Sequence, residues 1–150
     1  MSLPSCTSIE TNAFANCIRL TTVSIPLCTS IKGYTFTGCT NLTTVSIPLC
    51  TSIGSYAFSS CYYLATVSFP LCTNIGSNAF IRCFRLVSLY LTGSSIVNLL
   101  NSNAFSSTPI GGYTYYTEGV YGSVFVPSSL YSTYIASTNW VYFSSRFVSI

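Results

Sequence analysis

Apolar residues return along this chain in a fixed order. The stretch Leu20-Thr21-Thr22-Val23-Ser24-Ile25 recurs as Leu42 to Ile47, Leu64 to Phe69 and Leu86 to Leu91, each copy 22 residues after the last. The final apolar pair of each copy stands two residues apart, which predicts a short strand with Val23 and Ile25 pointing inward and Thr22 and Ser24 pointing out. Proline follows at 26, 48 and 70, and its fixed φ and missing donor end the strand and turn the chain. A second extended piece, Cys28-Thr29-Ser30-Ile31, is expected next. Then come a polar corner (Lys32-Gly33-Tyr34, Gly54-Ser55-Tyr56, Gly76-Ser77-Asn78) and an Ala-Phe-x-x-Cys segment. That segment reads as one helical or 3₁₀ turn placing Phe58 and Cys61 inside.

Cysteine marks the same rhythm. Cys6, Cys17, Cys28, Cys39, Cys50, Cys61, Cys72 and Cys83 are spaced by eleven residues and alternate between two contexts, so each 22-residue turn carries two. A unit this short cannot bury a hydrophobic face alone, and the chain is therefore read as a repeat solenoid whose core forms by stacking. Residues 22 apart would sit one parallel-sheet spacing apart, ~4.8 Å. Like then stacks on like: Leu20 with Leu42, Leu64 and Leu86; Ile9 with Ile31, Ile53 and Ile75; Phe14 with Phe36, Phe58 and Phe80; and two columns of cysteine. One position conflicts. Thr35 occupies the slot held elsewhere by Ala13, Ala57, Ala79 and Ala104, so its hydroxyl, if buried, must reach a carbonyl.

The motif Pro-x-x-x-x-Ile-Gly-x-x-Ala-Phe-x-x-Cys-x-x-Leu-x-x-Val keeps phase over four consecutive turns, from Pro4 to about Leu91. It resembles the leucine-rich repeat of the BspA-like surface proteins, whose members often carry one residue more between Pro and Ile. The fold expected is a leucine-rich-repeat-like right-handed coil of 22-residue turns with a parallel sheet on one side, plus a small α+β C-terminal cap. Four regular repeats are assigned to residues 1–91 and a degenerate last repeat to 92–108, where Ser102-Asn103-Ala104-Phe105 revives the corner without a following cysteine. Residues 109–150 read as the cap, with a loop at 111–119, a strand at 123–127 and a helix from Ser128, its N-cap, to about Trp140. The resemblance implies a non-catalytic adhesin or receptor-binding part, carried on a cell surface or virion by its parent protein.

Charge is nearly absent. Two acids (Glu10, Glu118) and five bases (Arg19, Lys32, Arg82, Arg85, Arg146) give a formal charge of +3 with no basic stripe, which argues against nucleic acid and against an anionic membrane surface. No apolar run reaches the ~18 residues that span a bilayer, so membrane insertion is not expected. The N-terminus lacks the basic start and apolar stretch of a signal peptide. Met1 to Cys6 falls in mid-repeat, in phase with Leu27-Cys28, so this is expected to be a piece of a longer protein or a coil begun without a cap. An uncapped end of that kind invites self-association.

Catalysis needs groups that hold or move protons, and the chain has no histidine and two carboxylates far apart in sequence, so no enzyme is expected. No cofactor is expected, and no metal, since close pairs such as Cys-x-x-Cys do not occur. Stacked cysteines lie within bridging reach, as in Cys6 with Cys28 or Cys17 with Cys39. They behave like the neighbouring Leu and Ile columns, however, and reduced thiols filling a tight core are expected.

Two outward surfaces carry chemistry. Thr22, Thr44 and Thr66 stand beside Ser24, Ser46 and Ser68, a ladder of hydroxyls suited to an ordered surface such as ice or crystalline polysaccharide. Such residues are also simply good cross-strand neighbours. At the strand entrance the columns vary: Ile18-Arg19, Thr40-Asn41, Tyr62-Tyr63, Phe84-Arg85. Tyr62, Tyr63, Phe84 and Arg85, with Arg19 and Asn41 on the turns before, form a candidate patch for a sugar or a protein loop on another cell. Drift at surface positions would leave the same variation.

Overall fold

The computed structural model describes residues 1–150. In chain order the strands are β1 (Thr22–Ser24), β2 (Ser30–Ile31), β3 (Thr44–Ser46), β4 (Ser52–Ile53), β5 (Thr66–Ser68), β6 (Asn74–Ile75), β7 (Ser88–Tyr90), β8 (Asn98–Leu99), β9 (Ser123–Val126) and β10 (Phe147–Ser149). All pair in parallel, and the pairing follows the repeat: Val23 opposite Val45, Ser30 opposite Ser52, Val67 opposite Leu89. The second extended piece of each turn forms a ladder of its own, β2-β4-β6-β8, so sheet lines a second side of the coil as well as the one expected. The first ladder runs β1-β3 and then β5-β7-β9-β10, interrupted between β3 and β5. At the interruption Val45 is only half-buried, while Val23 and Val67 are closed off.

The Ala-Phe-x-x-Cys corner is not a helical turn. It is a run of tight bends, Ala57 N–H to Gly54 O, Ser59 N–H to Tyr56 O and Cys61 N–H to Phe58 O, at 3.1–3.2 Å. Alternate N–H groups point along the axis instead, with Phe36 N–H donating to Ala57 O and Phe58 N–H to Ala79 O, both at 2.8 Å. A helix would use those donors internally, whereas here the backbone switches hand to aim them at the next turn. Two residues per turn are left-handed: Asn12, Tyr34, Tyr56 and Asn78 in one column, and Asn16, Gly38, Ser60 and Arg82 in the other, with φ between 58° and 71°. Backbones approach closely at the corner before this run. A Cβ on Gly76 would lie 2.5 Å from the Ser55 nitrogen of the preceding turn, which is why glycine stands there.

Inside, the columns close as the repeat predicts. Phe14, Phe36, Phe58, Phe80 and Phe105 stack with centroids 5.4–5.6 Å apart and planes within 12° of parallel. Phe58 and Cys61 are fully buried. Thr35 is buried too, and its hydroxyl donates to Lys32 O at 2.9 Å, satisfying the group that the alanine slot made costly. No buried side-chain nitrogen or oxygen lacks a partner.

Beyond turn four the offset grows, with Asn74 opposite Asn98 and Leu89 opposite Val124. The C-terminal segment both extends the first sheet, through β9, and covers the end of the core. Trp140 lies 5.9 Å from Phe105 and its indole N–H donates to Val97 O at 2.7 Å, while the Tyr134 hydroxyl accepts from Val97 N–H at 3.0 Å. The helix is shorter than the sequence pattern predicts. A 3₁₀ turn, Ser128–Leu130, leads into α1 (Tyr131–Ala136), and a second 3₁₀ stretch covers Val141–Arg146. Ser128 does not cap it, because its hydroxyl donates to Ile150 O at 3.0 Å and so ties down β10, a strand that the sequence pattern does not announce. The helix ends where Ser137 turns extended, and beyond it Asn139, left-handed with φ 64°, sends its amide to Leu99 O at 2.8 Å.

All eight cysteines are free thiols, and six are buried. One column bonds locally, Cys28 Sγ to Ser30 O at 3.2 Å and Cys50 Sγ to Ser52 O at 3.3 Å. The other reaches back a turn, Cys39 Sγ to Phe14 O at 3.1 Å, Cys61 Sγ to Phe36 O at 3.3 Å and Cys83 Sγ to Phe58 O at 3.1 Å. Burial pushes the Cys39 and Cys72 thiols up to about 12 and Cys50 up to about 11, and raises Cys61 well above its ordinary value.

Four outcomes are expected. Phe58→Ala removes one ring from the middle of a continuous stack and should cost about 3–5 kcal/mol in urea unfolding; a loss under 1 kcal/mol would mean that the column is not a core element. Ser60→Gly should stabilise by roughly 0.5–1 kcal/mol, because glycine removes the left-handed penalty at φ 59° at some cost in entropy. Because the raised thiols stay protonated in the folded state while the unfolded chain ionises near 9.0, stability should fall as pH rises from about 9 to about 12. A thiol reagent added to the unfolded protein without reductant should titrate eight groups, and four or fewer would establish bridged columns.

Candidate functional site

The strand entrance is built by two inward anchors with two free positions between them. Cys61 and Leu64 are fully buried and the Leu64 N–H donates to Cys61 O at 3.2 Å, a tight turn that leaves Tyr62 and Tyr63 on its outer side. One turn later Cys83 and Leu86 do the same for Phe84 and Arg85, with Leu86 N–H to Cys83 O at 3.0 Å. The 22-residue register then brings like positions together. Tyr62 stacks on Phe84 at 5.0 Å, and the Arg85 guanidinium lies over the Tyr63 ring at 4.6 Å.

A third wall comes from the loop at 111–119. Tyr113 and Tyr116 lean on Phe84 at 5.6 and 4.9 Å, and Tyr115 sets its edge against Tyr116 at 5.0 Å. Thr117 holds the loop's shape, its hydroxyl meeting Val120 O at 2.6 Å, while Tyr113 N–H donates to Thr108 O at 2.8 Å. Between the walls is an open cavity of about 330 Å³ lined by Tyr62, Tyr63, Phe84, Arg85 and Tyr116. That volume falls at the lower end of the ~300–1,000 Å³ typical of ligand sites.

Arg85 is the one charged residue of the lining. It is exposed and lies over the Tyr63 ring, with its N–H donors unpaired. The cavity holds three phenolic hydroxyls, one guanidinium and several ring faces, and no carboxylate, thiol or imidazole. Such a set can stack and hydrogen-bond.

The structure thus joins four of the six residues proposed for the patch. Arg19 and Asn41 stand on the same column as Tyr63 and Arg85, two turns and one turn before Tyr63, and do not line the cavity. The Asn41 amide is engaged elsewhere, donating to Ile18 O at 2.8 Å. Tyr113 and Tyr116 lay outside the sequence reading of the patch because no periodicity relates the loop to the repeats. The signal that could have marked them is the run Tyr113-Thr114-Tyr115-Tyr116, dense in exposed aromatics.

On the first sheet, Thr22 pairs with Thr44 and Ser24 with Ser46, but the interruption between β3 and β5 separates these from Thr66 and Ser68. The ladder is therefore two short arrays, and on β7 it gives way to Tyr90, stacked on Phe125 at 4.4 Å. At the corner after each proline Leu27, Leu49 and Leu71 form an exposed apolar ridge, 39–49 % accessible, which the motif also overlooked. No helix is long and apolar enough to cross a membrane.

The chain has no match among curated proteins or among solved structures. A family model described as BspA type Leucine rich repeat region (6 copies) matches residues 2–135, which includes β9 and most of α1 as well as the regular turns. With nine-tenths of the chain matched and the parallel ladders following the repeat register, the protein belongs to the BspA-type leucine-rich repeat family.

Proposed function

We propose that the protein is a non-catalytic recognition module that holds a glycan or protein loop of another cell in the cleft between Tyr62, Tyr63, Phe84, Arg85 and Tyr116. The observation that carries this reading is the convergence of five outward side chains from two adjacent turns and a distant loop on one cavity, with ring faces exposed. Tyr63 and Tyr116 keep 45 % and 50 % of their surface accessible, area that a ligand would cover. Exposed aromatics at this density suit sugar rings, whose C–H faces stack on them, and suit protein loops equally. Presentation on a cell surface or a virion follows from such a role.

A structural reading is favoured by a different observation. In this chain the first turn leaves Phe14, Cys17 and Leu20 partly exposed, where Phe36, Cys39 and Leu42 are closed off. Where no preceding segment covers it, that apolar end would bind a second copy head to tail and make the coil a spacer or assembly element.

Binding separates the two. A labelled, monodisperse sample is applied to a glycan panel and to intact bacterial and epithelial cells, beside a Tyr63→Ala/Tyr116→Ala variant whose substitutions fall on half-exposed rings. Saturable binding, weakened about tenfold or more in the variant, is the expected result. A folded sample that binds nothing and whose light scattering grows with concentration would replace recognition with assembly.

A further inference from the structure

Resting on the recognition reading above, the chemistry of the cleft narrows its ligand. We infer that the site takes an acidic sugar: a pyranose whose carboxylate is gripped by Arg85 while its ring lies against the tyrosines.

Arg85 is exposed, and no carboxylate lines the cavity beside it. The chain has only two carboxylates, Glu10 and Glu118, and neither lines the cavity. No hydrogen bond from the guanidinium to protein accompanies its contact with Tyr63. A guanidinium laid on a ring is held in one plane, with its N–H groups directed outward from the edge of that plane. An anion arriving there meets a forked set of donors and no carboxylate in the lining. A planar carboxylate matches that fork with two parallel hydrogen bonds, which a rounder anion matches less well.

The rest of the lining disfavours three other ligand classes. A polyanion such as nucleic acid needs a row of cations, and this cleft has one. A wholly apolar ligand would cover the guanidinium without giving it a partner. A neutral sugar would use the ring faces and waste the charge. One anionic group beside one stackable ring is the combination that uses both, and the Tyr62, Tyr63 and Tyr116 hydroxyls are placed to bond sugar hydroxyls around it. The cavity, about 330 Å³, suits one or two sugar units, which makes the binding residue a chain end or an exposed branch.

The test compares ligands that differ in one substituent. A hexuronate oligosaccharide, its carboxyl-reduced counterpart with identical linkages, and the reduced form sulfated at the same carbon are titrated against the full chain at low and at physiological salt. Binding is followed by calorimetry and by NMR shifts of the tyrosine rings and of the Arg85 side chain. The acidic form is expected to bind about tenfold tighter than the reduced form, with the preference shrinking as salt rises. In R85Q the ratio between them should fall to one, and in R85K part of it should remain, since lysine keeps the charge without the fork. Arg85 is exposed and packs only on Tyr63, so both variants should unfold at the wild-type temperature. Equal affinity for acidic and reduced forms, with tyrosine shifts in both, would overturn the acidic-sugar assignment and leave the cleft as a sugar site. Tighter binding of the sulfated form would overturn the carboxylate in favour of sulfate. Absence of shifts at the cleft with every sugar would overturn this inference and the glycan reading with it.

Discussion

Every residue of a regular turn must tolerate a copy of itself one turn above and one turn below. That constraint is most visible in the phenylalanine stack, where each ring from Phe14 to Phe105 faces the next at 5.4–5.6 Å with nearly parallel planes. The turns are spaced by backbone pairing at ~4.8 Å, and a ring tilted off the axis spans the slightly longer centroid distance in the offset arrangement that aromatic pairs prefer. Groups that cannot bear such proximity are excluded from the columns. A charge would face its own kind, and an unpaired hydroxyl would need an acceptor at each level. Cysteine passes because its thiol is small, stays protonated and finds a carbonyl, in one column within its own turn and in the other on the turn before.

The corners show how the backbone accommodates the same demand. To send N–H groups up the axis from a tight bend, the chain must alternate hand, and it does so at two residues per turn. Asparagine and glycine at Asn12, Asn16, Gly38 and Asn78 accept this readily, while Tyr34, Tyr56, Ser60 and Arg82 carry a local penalty that inter-turn bonding offsets. The rings of Tyr34, exposed, and Tyr56, half-buried, recover part of it by stacking at 4.8 Å.

Positions that point away from the axis escape the constraint, and the chain's chemical variety collects there. The pair between each cysteine and the following leucine is held by its buried neighbours in a defined orientation without having its identity specified. Tyr62, Tyr63, Phe84 and Arg85 occupy two such pairs on adjacent turns, so a rigid core places variable side chains a fixed distance apart. Low charge elsewhere leaves Arg85 without a rival partner.

Much of this was legible in residues alone. Val23 and Ile25 alternating with threonine and serine announced the strands, and Pro26 their ends; twenty-two-residue spacing announced parallel pairing; and the alanine slot at Thr35 announced a hydroxyl needing a carbonyl. All are local or periodic signals, and periodicity converts sequence distance directly into spatial distance. Tertiary structure decided what has no period. The loop carrying Tyr113 and Tyr116 reaches Phe84 only because β9 joins the sheet beside β7, a pairing of Leu89 with Val124 that no repeat predicts. Ser128 bonding Ile150, Asn139 reaching Leu99 and the break between β3 and β5 likewise depend on which surfaces meet. The repeating residues thus determined the coil, because each reads its neighbour at a constant interval. The finished cleft was decided by folding, because its third wall comes from a segment whose place is set by packing against the end of that coil.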